Sequence, residues 1–113
     1  MELANKIRED FLSECATDSV GLWSLIWNIK HVAGVSDSEE IRKLALAILL
    51  GLLISGRIRA GVPTEEHGFE QWQLSPEQII RAIKQQWDDL GREPDIGEIV
   101  WFTSAENTTN VRN

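Results

Sequence analysis

Few side chains in this sequence could do chemistry, and their spacing argues against most of it. Nucleophilic catalysis would need Cys15, the single cysteine, beside a histidine. Cys15 falls on the stripe Leu3, Ile7, Phe11, Cys15, which recurs every four residues, so an inert, packed thiol is expected. His31 sits in the narrow polar strip Ser24, Asn28, His31 of a second helix, where a C-terminal cation or hydrogen-bond donor is expected. His67 follows Glu65 and Glu66. A carboxylate–imidazole group can bind a divalent metal, but three adjacent loop residues lack the spacing of a closed site. Asp88 and Asp89 are sequence neighbours whose side chains diverge on a helix, so they do not share a proton. Glu98 reads as a cap partner of Asp95, and Gly56, Gly61 and Gly68 mark turns and strand ends rather than a phosphate-cradling loop. The expectation is a non-enzyme, with no catalytic residue, metal or cofactor.

The elements around these residues follow from periodicity and caps. A first helix spans about Glu2 to Ala16 on the stripe just described. Asp18 or Ser19 caps a second helix to about Ala33, whose inner face is Leu22, Leu25, Ile26, Ile29, Val32 and Ala33, with Trp23 and Trp27 on a flanking face. Gly34 closes it. Ser36-Asp37-Ser38-Glu39 reads as a capping box for a third helix that runs to Ser55 and stops at Gly56. Arg57 to Val62 alternates as a strand, and Phe69 to Leu74 returns as its antiparallel partner, with Arg57 and Arg59 facing solvent near Glu70. Ser75-Pro76-Glu77-Gln78 caps a fourth helix to Leu90, carrying Ile79, Ile83 and Trp87 inward. Residues 96–102 read as a short fifth helix behind Asp95, with a strand as the alternative because Ile99-Val100-Trp101-Phe102 is β-branched and aromatic.

A chain of 113 residues with these elements makes one domain, expected over residues 1–102, followed by a disordered polar tail over 103–113. The tail holds Asn107-Thr108-Thr109, a glycosylation motif by chance in a chain that opens on no signal peptide. The longest apolar run, Leu44 to Ile54, is eleven residues, against roughly 20 for a membrane span, so no membrane partner is expected. A lone cysteine has no disulfide partner within the chain and fits the reducing cytoplasm. Net charge is −7, distributed as −3 over residues 1–29, +2 over 30–62 and −6 over 63–113. That balance disfavours bulk attachment to nucleic acid but leaves a local basic patch.

The third helix, Ser36 to Ser55, running into Gly56-Arg57-Ile58-Arg59-Ala60-Gly61 and the hairpin closed by Phe69 to Leu74, resembles the winged helix-turn-helix family. The resemblance implies a mainly α fold with a small β-hairpin (α+β): three N-terminal helices, a two-stranded wing and one or two C-terminal helices, as in many small bacterial proteins. Leu90-Gly91-Arg92-Glu93-Pro94 with Glu98-Ile99 is similar to a helix-start phrase of bacterial sigma-factor domains, which implies a helix beginning there. In the winged-helix family the third helix reads the major groove. Here its outer side carries Glu39, Lys43, Leu46, Ala47, Leu50 and Ile54, which offer bases few hydrogen bonds. As a DNA-binding regulator the chain would use Lys30, Arg42, Lys43, Arg57 and Arg59 on phosphates, fewer than the roughly 6–10 contacts common among DNA-binding proteins.

The preferred expectation is an acidic cytoplasmic protein-interaction domain. It contacts a protein partner, or itself as a homodimer, through Trp23, Trp27, Leu46, Leu50 and Ile54. Small acidic bacterial proteins that neutralise a basic toxin are similar in size and charge, since acidity steers a basic partner. A ligand cavity between hairpin and fourth helix, lined by Trp72 and Trp87, is a third reading.

Overall fold

The computed structural model describes residues 2–66 and 68–105. His67 and residues 106–113, with most of the expected tail and its Asn107 motif, lie outside the described residues. Helix α1 (Glu2–Thr17) buries Ile7, Phe11 and Cys15 as their four-residue spacing requires. Strand β1 (Val20–Gly21) follows, so α2 (Leu22–His31) starts later than the Asp18/Ser19 cap predicts. The reason is tertiary: Val20 and Gly21 pair with a distant strand, and the Leu22 amide donates to the Val100 carbonyl at 3.1 Å. Gly21 caps α2 without any side-chain hydrogen bond.

Helix α3 (Ser38–Ile54) is capped by Asp37, whose carboxylate accepts from the Glu40 amide at 3.0 Å, one residue later than the expected Ser36 cap. A carboxylate at the positive end of the helix is the better acceptor of the two. Gly56, at φ +75°, ends the helix in the left-handed region and sends the chain into β2 (Ile58–Val62). β2 pairs antiparallel with β3 (Glu70–Gln71), as the alternation predicts. Helix α4 (Pro76–Leu90) has the full capping box, with the Gln78 amide donating to Ser75 Oγ at 3.2 Å and the Ser75 amide donating to Gln78 Oε1 at 2.9 Å.

The fifth helix expected over 96–102 is replaced by strand β4 (Trp101–Ser104). The Asp95–Glu98 signal is a cap without a helix: the Asp95 amide donates to Glu98 Oε1 at 2.6 Å, and Ile99 at φ +70° then turns the chain out of helical geometry. Thr103 and Ser104, assigned to the tail by composition, belong to this strand and are buried.

The two-stranded hairpin is therefore part of a four-stranded antiparallel sheet in the order β1-β4-β2-β3. The described architecture is mixed α+β, four helices and a four-stranded antiparallel sheet. Ile58, Ala60 and Phe102 face the helices, with Phe102 edge-on to Phe11 at 5.7 Å, while Arg59 and Trp101 alternate to the other face. One continuous core joins α1, α2, α3, α4 and the sheet.

Candidate interaction surface

Helix α3 decides what this molecule can present. It buries Ile41, Ala45, Ile48, Leu49, Leu52 and Leu53 against its own chain. Leu44, Leu46 and Leu50 are half-buried shoulders. The outward line runs Lys43, Ala47, Gly51, Ile54, all exposed, and Ile54 keeps 60 % of its surface in water. An apolar side chain on a helix end has no hydration benefit to offset that exposure, and covering it yields about 25 cal/mol per Å².

On α2 the two tryptophans have different settings. Trp27 is 52 % exposed and stacks on exposed His31, one turn away, with centroids 4.4 Å apart. Trp23 is half-buried: its ring lies on Gly21, where a Cβ would come within 2.7 Å of Trp23 Cδ1 and 3.8 Å of Trp101 Cδ2. Trp23 Nε1 is buried without a hydrogen-bond acceptor. Of the five expected contact residues, Trp27 and Ile54 are thus open, Leu46 and Leu50 partly so, and Trp23 is largely committed to the fold. Leu74 and Ile96 are exposed too, at 44 % and 67 %. The sequence places Leu74 at the end of the returning strand and Ile96 at the start of the fifth helix, but β3 ends at Gln71 and β4 begins at Trp101, so both stand in exposed connections beside a cap residue (Ser75, Asp95).

The five basic candidates do not form a free row. Lys30 Nζ donates to Glu93 Oε1 at 3.0 Å. Arg42 donates to Asp88 Oδ1 at 2.6 Å and to the Lys84 carbonyl, and lies over the Trp87 ring at 5.5 Å. Arg59 donates to Gln71 Oε1 at 2.7 Å, not to Glu70, the partner expected across the hairpin. Lys43 and Arg57 are exposed.

Among the groups considered for catalysis, Cys15 is fully buried, and burial, aided by nearby Glu14, pushes its thiol up to about 12. Asp88 is held below the usual aspartate range by its hydrogen bond from Arg42. Asp89 accepts from Gln85 at 3.1 Å, so the two neighbouring aspartates serve separate partners. Glu98 accepts both Arg92 Nη atoms, at 2.8 and 2.7 Å, and these bonds hold its carboxyl at about 2. Among the described residues no three His, Cys, Asp or Glu side chains gather into a metal-holding group, and no helix is long and apolar enough to cross a membrane. The cavity expected between Trp72 and Trp87 is two separate depressions. Trp72 lines one with Leu74 and Ala82, and Trp87 lines another with Arg42 and Gly91.

No protein-family model matches this chain, and neither curated proteins nor solved structures include one significantly similar to it.

Proposed function

We propose that the chain is a small, acidic, non-catalytic protein-interaction domain of the cytoplasm, either self-associating or neutralising a basic partner. The observation that carries this reading is the exposure of Trp27 and Ile54 on α2 and α3, two of the helices that share the core. Trp is the residue type most enriched at binding hot spots, and an exposed Trp costs little side-chain entropy when it docks. Leu46 and Leu50 would widen the patch on α3. A winged-helix-like layout, with three helices leading into the β2–β3 pair, is the finer reading of the fold. β4, threaded between β1 and β2, departs from a two-stranded wing.

The test places a photo-reactive side chain at position 54 or 27, with exposed position 9 on α1 as control. Adducts from extract of the cells that naturally make the protein are expected at 54 and 27 and not at 9. A monomeric mass by light scattering near 1 mM protein (about the limit of weak association), together with no site-specific adduct, overturns the reading. The DNA-binding alternative predicts a mobility shift with duplex DNA that fades steeply as salt is added.

A further inference from the structure

Strand β3 is an open edge of the sheet: among the described residues it has a partner strand, β2, on one side only. The Trp72 amide donates to the Ala60 carbonyl at 2.8 Å, so the pairing extends one residue beyond β3. Alternation along an antiparallel strand turns the Gln71 N–H and C=O away from β2. Backbone groups presented this way are a template for an added strand. Beside them, Trp72, Leu74, Ala82 and Gln86 line a shallow depression between the edge and α4. Leu74 offers that depression an exposed apolar side chain. Edge and side-chain seat are the two parts that strand addition needs: main-chain bonds for affinity and a pocket for alternate side chains.

Charge selects the occupant. Glu65, in the loop that leads to this edge, and Glu70, in the edge itself, are exposed, with Arg59 on the neighbouring strand engaged by the Gln71 side-chain oxygen. The ion pairs among the described residues use Asp10, Glu93, Asp88 and Glu98 and neither of these two. Arg81 and Lys84 lie further round α4 and line a different depression with Glu77 and Asp88. A second copy of a chain of net charge −7 would bring like charges together here. We infer that the β3 edge and the Trp72–Leu74 depression take an extended segment of a basic partner protein, lysine or arginine alternating with apolar residues, as an added strand. This rests on the interaction reading above but uses residues other than Trp27 and Ile54.

The probe is a short synthetic peptide alternating lysine and valine, titrated into isotope-labelled full-length protein and followed by amide NMR shifts. Shifts are expected at Gln71 to Leu74 and at Ala82. A peptide with glutamate for lysine, and one N-methylated on its edge-facing amides, should each bind about tenfold more weakly, since each removes one of the two recognition elements. Glu70→Lys and Leu74→Ser change exposed side chains, so both variants should melt like the parent while losing about fivefold in affinity, a rim-contact effect. No shifts up to about 1 mM peptide, equal binding of the charge-reversed peptide, or shifts centred on Trp27 and Ile54 would each overturn the inference. If photo-adducts still form at position 54, the interaction reading survives that failure; if they do not, both fall.

Discussion

Gly61→Ala tests how closely β3 is seated on β2. A Cβ at Gly61 collides with the Glu70 carbonyl oxygen and stands 2.9 Å from both Glu70 C and Gln71 Cα. All three atoms are backbone, so no rotamer change relieves the contact and β3 must lift away. The loss is two to three ladder hydrogen bonds, the Trp72–Ala60 bond among them, at about 1 kcal/mol net each. Against this, alanine narrows the unfolded ensemble and returns about 0.4–1 kcal/mol. The balance is a destabilisation of about 2 kcal/mol, which for a domain of this size lowers Tm by roughly 8 °C. Gly51→Ala is the matched control: that glycine is exposed, helical and has open space around it, so alanine should stabilise by about 1 kcal/mol through helix propensity. Thermal melts by circular dichroism, with hydrogen exchange at the Trp72 amide, read both variants. A Gly61→Ala protein that melts at or above the parent, with Trp72 still protected, would mean that β3 does not approach β2 as described.

Three other outcomes follow from the same geometry. Glu98 has its carboxyl lowered from 4.5 to about 2, chiefly by the Arg92 hydrogen bonds and then by the Asp95 amide. A group depressed in the folded state contributes stability above its unfolded value, so this contribution is complete above about pH 4.5 and fades as pH falls toward 2. Carboxyl NMR titration should place the Glu98 midpoint far below 4.5, and Glu98→Gln should flatten that limb of the acid melt; an ordinary Glu98 midpoint would contradict the Arg92 pairing. Cys15, buried with its thiol near 12, should react with a thiol reagent at pH 8 only as fast as the protein unfolds. Immediate labelling in native buffer would count against that packing. Ile99 holds φ +70°, a conformation costing an L residue roughly 1–2 kcal/mol. Ile99→Gly should therefore be nearly neutral in denaturant melts, whereas Val100→Ala, one residue on and fully buried, should cost about 2 kcal/mol; equal losses would remove the strain argument.

Where all determinants of an element are local, the sequence was legible. Helix α4 is the clear case: Ser75, Pro76, Gln78 and Gly91 specify both ends within the segment itself. β4 is the opposite case. Its local signals conflict: Asp95 followed by Glu98 is a helix start, while β-branched and aromatic Ile99 to Phe102 favour the alternative strand, which wins because β1 and β2 offer it a ladder on each side. The same pairing takes Val20 and Gly21 away from α2, which is why that helix begins late. For the surface, the burial stripe of α3 could be projected from periodicity, as could the exposure of Ile54. The acceptors of the basic side chains could not, because Lys30 and Glu93 are 63 residues apart and Arg42 and Asp88 are 46 apart. Periodicity carries no information on contacts at that range.

Those long-range pairs also bear on the choice between the two proposed macromolecular partners. The one segment with a positive balance, residues 30–62, is folded against acids from the most negative segment, residues 63–113. Breaking such exposed pairs is not the obstacle to DNA, since each is worth under about 1 kcal/mol. The obstacle is that Asp88 and Glu93 remain beside Arg42 and Lys30 after a phosphate arrives, well inside a Debye length of about 8 Å at physiological salt. Lys30 and Arg42 each bring a carboxylate with them, which leaves Lys43, Arg57 and Arg59 to release counterions, so the binding free energy stays small. A basic protein meets the reverse situation. It can engage carboxylates with no ion pair among the described residues, such as Glu65, Glu70 and Glu77, without dislodging any cation. The surplus acidity of this chain supports the proposed cationic protein partner over the nucleic-acid alternative even where its own cations reach the surface.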